Sequence, residues 1–220
     1  MHGSYPASVR TRKNNDNPSD GTSWLLVVPH TPSVVADREA ERRVGGRFTQ
    51  SKMSVSVEKL VADNKQHGRC VGIEIVNKSH LPLESPQVYC SSGFVKVPPA
   101  AVIDSQETAT CLFAKNVGFR GSVGLLSYKF GDKRVFLLFS NPYDFVTYSN
   151  EFALFIGDQH LSADQKLFDQ MYRGHVGPVS FANLRKNGAS ISLKTRRVEF
   201  SATMSNSTEA IIKMQVKECS

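Results

Sequence analysis

Histidine and cysteine are among the side chains of this sequence that could bind a metal or act as a nucleophile. The six histidines are spread from His2 to His175, and no two stand at metal-ligand spacing. The four cysteines match no zinc motif, and three lie in apolar runs where a buried free thiol is common, although a disulfide stays open. There is no Gly-x-Ser-x-Gly elbow, phosphate-binding loop or dinucleotide fingerprint. We therefore expect a protein without enzymatic activity, metal or cofactor.

An aromatic-rich segment is the part of the sequence best suited to bind something. Residues 139–150 read Phe-Ser-Asn-Pro-Tyr-Asp-Phe-Val-Thr-Tyr-Ser-Asn, and Pro142 predicts a turn after a strand that ends at Ser140. A loop with apolar side chains either folds back onto the core or presents a binding surface, and both alternatives stay open here. Tyrosine and phenylalanine suit a membrane interface because their rings are apolar and a phenol can bond to headgroups.

The elements around this segment are predicted from the periodicity of the apolar residues. Val71, Ile73 and Ile75 alternate with residues of the other face, which predicts a half-buried strand. Similar patterns predict strands over 87–90, 108–114, 148–156, 198–204 and 212–216, and a hairpin whose strands 121–129 and 134–140 flank residues 130–133. One short helix is predicted between an N-cap at Ser162 and Gly174. The predicted fold class is all-β, a compact β-sandwich of about ten strands flanked by one or two short α-helices.

The first part of the chain differs from the rest in composition. Residues 1–52 are rich in Pro, Ser, Asn, Asp and Arg with little periodicity, which predicts a disordered N-terminal extension before a folded domain over 53–220. The apolar run 24–28 is too short for a spanning helix of about 20 residues or for a secretory signal. The net charge of +7 favours anionic surfaces such as nucleic acid or membrane headgroups, with a basic protein that has no charged partner as the alternative.

The motif in residues 139–150 resembles the actinoporins, the pore-forming cytolysins of sea anemones, and the actinoporin-like proteins of vertebrates. The pattern Phe-Ser-x-Pro-Tyr-Asp followed by Tyr-Ser-Asn carries the resemblance, which extends through residues 121–128 and 163–172 and covers about 53–220. The resemblance implies a β-sandwich flanked by two helices that binds phosphocholine headgroups, notably those of sphingomyelin. It also implies that an amphipathic N-terminal helix detaches and that several copies line a cation-permeable pore.

The resemblance implies a headgroup pocket in which tyrosine rings hold the quaternary ammonium and hydroxyls bond the phosphate. Carried over residue by residue, the pocket comprises Ser92, Val123, Ser140, Pro142, Tyr148, Phe168 and Tyr172. The membrane-contacting residues of the loop are then Tyr143, Phe145 and Val146. The implied partners are membrane lipid and further copies of the chain, with no nucleic acid and no cofactor. The implied location is a target-cell membrane, reached from a soluble form that is secreted or cytoplasmic without a recognisable signal peptide.

The sequence departs from the family pattern in ways that keep two functions in view. Thr147 and Glu151 stand where the toxins have tryptophans, the stronger interfacial anchor, and Phe168 stands where a pocket tyrosine is expected. Residues 53–67 give fifteen positions with a weak apolar stripe, fewer than the about 20 of a spanning helix. The alternatives are therefore a pore-forming cytolysin-like protein and a non-lytic lipid-headgroup or glycan-binding module on the same sandwich.

Overall fold

The computed structural model describes residues 55–186 and 188–219, so the predicted N-terminal extension over 1–52 lies outside the described residues. Two six-stranded sheets pack face to face, and the side chains between them form one large apolar core. The strands are β1 Cys70–Lys78, β2 Leu83–Ser92, β3 Phe94–Val97, β4 Val102–Ile103, β5 Thr108–Ala114, β6 Ser122–Phe130, β7 Lys133–Asn141, β8 Glu151–Asp158, β9 Val179–Asn183, β10 Ser190–Lys194, β11 Val198–Met204 and β12 Glu209–Glu218. The helices are α1 Val57–Ala62 and α2 Gln165–Tyr172, and a 3-10 turn spans Lys65–His67.

The predicted all-β sandwich is confirmed, with more strands than the sequence indicated. The first sheet has the order β10-β11-β12-β1-β5-β3 and the second the order β4-β2-β6-β7-β8-β9. The four strands that periodicity missed, β3, β4, β9 and β10, are the four edge strands of the described sheets. An edge strand has one neighbour and buries less of its surface, so its alternation of apolar and polar residues is weak.

Helix α2 covers the outer face of the second sheet. Leu167, Phe168 and Met171 are its buried side chains and pack on apolar residues of β6, β7 and β8. The predicted N-cap at Ser162 is wrong, because Asp164 occupies that position and its carboxylate accepts a hydrogen bond from the backbone N–H of Leu167 at 2.8 Å.

Helix α1 is a short element packed on the first sheet. Val57 and Val61 lie one turn apart, both buried, and they fill the space above Gly72, where an added Cβ would overlap the Val61 side chain. Ser56 caps its N-terminus by accepting a hydrogen bond from the backbone N–H of Lys59 at 3.3 Å. With six residues, α1 is about 9 Å long.

Several element boundaries differ from those predicted, and two of the differences bear on the site. The hairpin between β6 and β7 turns over Gly131 and Asp132 alone, with Gly131 at a φ of 60°, because Phe130 and Lys133 still pair. Strand β8 begins at Glu151, so Tyr148 belongs to the loop before it. No helix in the described ranges is long and apolar enough to cross a membrane.

The cysteines have no partner sulfur in the structure. All four are free, and Cys70 and Cys111 are buried in β1 and β5 as their apolar surroundings indicated. Burial raises the pKa of Cys111 to about 12 and that of Cys70 to about 11, so neither is a reactive thiolate near neutral pH. No cluster of three or more metal-ligating side chains occurs in the part of the chain that the structure describes.

Candidate functional site

Pairing of adjacent strands places several predicted site residues in one row. Ser92 on β2 lies opposite Val123 on β6, and Val123 lies opposite Ser140 on β7. Ser140 in turn lies opposite Glu151 on β8, which lies opposite Asn183 on β9. Directly paired residues of antiparallel strands project from the same face, so this row crosses the sheet on the face that α2 covers. We call these five residues the sheet row.

The last turn of α2 brings a tyrosine onto the sheet row. The Tyr172 hydroxyl donates to Glu151 Oε2 at 2.7 Å, and Asn183 Nδ2 donates to Glu151 Oε1 at 2.6 Å. Burial, followed by the bond to Glu151, raises the pKa of Tyr172 to about 12. Ser140 and Tyr148 are also close enough to affect this pKa, in opposite directions. The sheet row, Tyr148 and Tyr172 therefore form one cluster.

Phe168 lies behind this cluster rather than on its surface. The side chain is 7% exposed and stacks on Tyr172, with ring centroids 5.7 Å apart and planes 23° apart. On its other side it lies 5.8 Å from the ring of Tyr89. Tyr172 and Tyr148 remain 42% and 58% exposed. Phe168 therefore supports and orients the ring of Tyr172. The rings that a ligand can reach are those of Tyr148 and Tyr172.

The β7–β8 loop, residues 142–150, is ordered by its own polar groups. The Asp144 carboxylate accepts from the backbone N–H of Val146 at 2.8 Å and of Thr147 at 3.3 Å. The side chain of Thr147 and these N–H groups lower the pKa of Asp144 below its ordinary value. This turn leaves Val146 90% exposed at the tip of the loop. The aspartate of the Pro-Tyr-Asp motif therefore shapes the loop that presents the apolar side chain.

Two fully buried asparagines hold the ends of this loop. Asn141 Nδ2 donates to the carbonyls of Cys70 at 2.9 Å and of Thr208 at 2.7 Å. Asn150 Nδ2 donates to the carbonyls of Ser205 at 3.1 Å and of Ser207 at 3.0 Å. These bonds connect the loop to the start of β1 and to the turn between β11 and β12, so the motif asparagines serve structure rather than ligand contact.

Pro142 and Ser92 both contact Gly121, which precedes β6. Pro142 is half-buried against Gly121, where an added Cβ would overlap the carbonyl oxygen of Asn141. The Ser92 hydroxyl donates to the carbonyl of Gly121 at 2.9 Å, so it is already engaged within the protein.

Two of the predicted membrane-contacting residues lie beside a cation. Tyr143 is 38% exposed, whereas Phe145 is half-buried beneath Arg69, whose guanidinium carbon lies 4.1 Å from the Phe145 ring centroid. Arg69 Nη2 also donates to the carbonyl of Tyr143 at 2.7 Å. The loop therefore presents Tyr143 and Val146 outward, while Phe145 packs under a positive charge.

Sequence reasoning missed part of this surface. Phe119 was not among the predicted membrane-contacting residues, yet it is 85% exposed and its ring meets that of Tyr143 edge-on at 5.2 Å. Arg69 was not recognised because it is 74 residues away from its partner Tyr143 in sequence. An aromatic residue between glycines in a predicted loop was the available signal for Phe119; no local signal existed for Arg69.

A model of the family described as sea anemone cytotoxic protein matches residues 45–218. The chain is 24% identical over 144 residues to DELTA-alicitoxin-Pse1b of Phyllodiscus semoni, a match that covers 64% of this chain and 64% of that relative. It is 28% identical over 153 residues to bryoporin of Physcomitrium patens, covering 68% of this chain and 84% of that relative. The chain thus spans just under two thirds of the alicitoxin.

The fold is shared with a solved structure described as lipid binding protein Nakanori. The two superpose with a TM-score of 0.59 and 18% sequence identity, over 73% of this chain and 78% of that one. The family match covers most of the chain and includes every strand of the sandwich. The predicted resemblance is confirmed: this chain belongs to the sea anemone cytotoxic protein family, the actinoporins.

Proposed function

We propose that this chain is a non-enzymatic, pore-forming cytolysin-like protein that binds membranes at the end of the sandwich where Tyr148 and Tyr172 lie. The observation that carries the proposal is the cluster of two partly exposed tyrosines around the sheet row, next to a loop with an exposed apolar tip. Membership of the actinoporins and similarity to an alicitoxin and to bryoporin support it. The protein would act at a target-cell membrane.

The proposed ligand is a phosphocholine headgroup, including that of sphingomyelin. The faces of Tyr148 and Tyr172 would hold the quaternary ammonium by cation–π attraction. The Glu151 carboxylate adds a negative charge beside Tyr172, which suits a cation and repels a phosphate. The ammonium would therefore sit toward Glu151 and the phosphate toward the basic side of the loop, near Arg69.

Pore formation would require a membrane-spanning helix and several copies of the chain. Spanning takes about 20 helical residues, whereas α1 has six, so most of such a helix would come from residues before 55, outside the described residues. We propose that assembly on the membrane produces a cation-permeable pore, as in other actinoporins.

A non-lytic headgroup-binding module is the second candidate, and the packing of α1 favours it. Val57 and Val61 are 0% and 4% exposed, and Glu58 Oε1 lies 2.6 Å from Lys213 Nζ on β12. Detachment of α1 would expose both valines and break this ion pair. A protein that keeps α1 on the sandwich would bind lipid, or a glycan, without opening a pore.

Dye release from vesicles tests both candidates. The full chain is added to phosphocholine vesicles with and without sphingomyelin, and binding is measured by co-sedimentation. Binding with release of dye supports a pore, and binding without release supports the non-lytic module, whose glycan version a glycan array would test. Absence of binding to every vesicle would refute the membrane function.

A variant pair tests the site itself. Tyr148→Ala should weaken binding to phosphocholine vesicles about tenfold, because one of two cation-holding rings is lost. The matched control is Leu81→Ala, whose side chain is 48% exposed beside the β6–β7 turn at the opposite end of the second sheet. Equal binding by the two variants would show that Tyr148 is not part of the headgroup site.

A further inference from the structure

We infer that the β5–β6 loop, residues 115–121, is a second membrane contact, and that the cations around it select bilayers containing anionic lipid. This inference rests on the proposed membrane binding. It adds anionic lipid to the phosphocholine lipids proposed for the site at Tyr148 and Tyr172. A phosphocholine headgroup is zwitterionic, so binding it requires no excess of positive charge on the protein.

The tip of the β5–β6 loop is apolar and fully open to solvent. Val117 is fully exposed, and Phe119 is 85% exposed. Gly118 between them has a φ of 99°, the left-handed conformation that lets the chain turn there and present both side chains outward. An aromatic ring kept in water has an unfavourable hydration free energy that transfer into the bilayer interface would relieve.

The two loops form one continuous surface. Gly121 packs directly against the backbone of Asn141 and Pro142, which brings the β5–β6 loop alongside the β7–β8 loop. The Phe119 ring meets the Tyr143 ring edge-on with centroids 5.2 Å apart. Val146, 90% exposed, is the tip of the second loop. A bilayer that the β7–β8 loop contacts would therefore meet the β5–β6 loop as well.

Cations surround this apolar surface. Lys115 Nζ lies 5.4 Å from the Tyr143 ring centroid, and the Arg69 guanidinium lies 5.7 Å from it. Arg120 is exposed next to Phe119, and Arg185 Nη1 donates to the Val146 carbonyl at 3.1 Å. None of these four cations forms an ion pair with a carboxylate among residues 55–186 and 188–219.

Two carboxylates lie close enough to act on these cations without forming an ion pair, Asp144 on Arg185 and Glu209 on Arg69. Asp144 accepts the backbone N–H groups of its own turn, and Glu209 Oε2 accepts the Thr208 hydroxyl at 2.7 Å. Four unpaired cations around protruding apolar tips match an anionic bilayer surface, where headgroups neutralise the charge and the interface takes up the rings. A nucleic acid would leave Val117 and Val146 in water, so we propose anionic lipid as the partner of this surface.

Vesicle binding with charge variants tests the inference. The full chain is measured on neutral phosphocholine vesicles and on vesicles in which about a third of the lipid is phosphatidylserine. Arg120→Gln should weaken binding to the anionic vesicles about fivefold, and Lys115→Gln combined with Arg120→Gln about 30-fold, with less than a twofold change on neutral vesicles. The excess affinity for anionic vesicles should also disappear at about 1 M salt.

Matched variants separate this surface from general charge and hydrophobicity. Lys133→Gln combined with Arg197→Gln removes two exposed cations at the other end of the sandwich and should leave binding unchanged. Phe119→Ser should weaken binding to both kinds of vesicle about tenfold, whereas Leu81→Ser should not. Circular dichroism and thermal unfolding check that each variant is folded.

The outcomes distinguish this inference from the proposed function. If the unaltered chain binds phosphocholine vesicles but gains nothing from phosphatidylserine, or if the Lys115 and Arg120 variants bind like their controls, the second contact is refuted and the headgroup site stands. If the unaltered chain binds neither kind of vesicle, both proposals are refuted. The second contact is supported if the Lys115 and Arg120 variants lose binding on anionic vesicles only, Phe119→Ser loses binding on both kinds, and the control variants lose none.

Discussion

The attachment of the β7–β8 loop should depend on one buried amide. Asn150 is 0% exposed, and its Nδ2 donates to the carbonyls of Ser205 at 3.1 Å and Ser207 at 3.0 Å. The substitution Asn150→Ala removes both donors and leaves two partly buried carbonyls without them. The change is confined to the point where the loop that carries Tyr148 meets the turn between β11 and β12.

The expected magnitude follows from these two bonds. A net hydrogen bond in a folded protein contributes about 0.5–1.5 kcal/mol, and a buried group left without its partner costs about 1–3 kcal/mol. Since the carbonyls are only partly buried, we expect Asn150→Ala to lower the free energy of unfolding by about 2–3 kcal/mol. Binding to phosphocholine vesicles should also fall, because Tyr148 lies two residues from the lost attachment.

Urea unfolding measures this effect. The matched control is Asn116→Ala, an exposed asparagine in the β5–β6 loop, which should change the free energy of unfolding by less than about 0.5 kcal/mol. A loss below about 0.5 kcal/mol for Asn150→Ala would refute the conclusion that the motif asparagine is a structural anchor. Normal stability with lost vesicle binding would indicate that Asn150 contacts the ligand instead.

Three further predictions concern α2 and its neighbours. Asp164→Ala should lower the free energy of unfolding in urea by about 1 kcal/mol through loss of the N-cap, whereas Ser162→Ala should leave it unchanged. Phe168→Ala should lower that free energy by about 3–4 kcal/mol and weaken vesicle binding, because Tyr172 loses the ring on which it stacks. The phenol of Tyr172, whose pKa is about 12 against an ordinary 10.0, should ionise late in an ultraviolet absorbance titration. Burial raises the pKa of Tyr128 as well, so Tyr172→Phe should remove one of two late-ionising phenols and leave that of Tyr128. Because the pKa of Tyr172 is raised in the folded state, the stabilisation that it reflects is present below about pH 10 and is lost as the pH rises toward 12.

Each of these predictions has a contradicting result. Equal stability of the Asp164 and Ser162 variants would show that the cap does not form in solution. If a folded Phe168→Ala protein bound vesicles as well as the unaltered chain, the conclusion that Phe168 orients Tyr172 would be refuted. An absorbance titration that Tyr172→Phe changes only near pH 10 would mean that Tyr172 is neither buried against the sandwich nor bonded to Glu151 in solution.

The sequence alone predicted the sandwich and its central strands. Residues such as Val71 and Ile73 alternate because one face of their strand is buried against the other sheet, so the period is visible locally. The edge strands β3, β4, β9 and β10 were not predicted, because they bury little of their surface and show only a weak alternation. The N-cap of α2 was misplaced because Ser162 and Asp164 are both good caps by type, and only the position of the Leu167 N–H decides between them.

For the site, the sequence identified the loop and the tertiary structure decided which side chains act together. The proline, serine and tyrosines of residues 139–150 were recognisable as a motif, since they are contiguous. Strand register, which no local pattern reveals, placed Ser92, Val123 and Ser140 in one row and added Glu151 to it.

Only the tertiary structure brings together the cations around the β5–β6 and β7–β8 loops. Arg69 precedes β1, and Lys115 follows β5; β1 and β5 are antiparallel partners, so both side chains come to the end of the sandwich where Tyr143 lies. A sequence records the identity and order of charges, and here it recorded only a modest net charge of +7. Their convergence on an aromatic loop is a property of the pairing of distant strands, because the distances between charges in space determine the electrostatic potential at a surface.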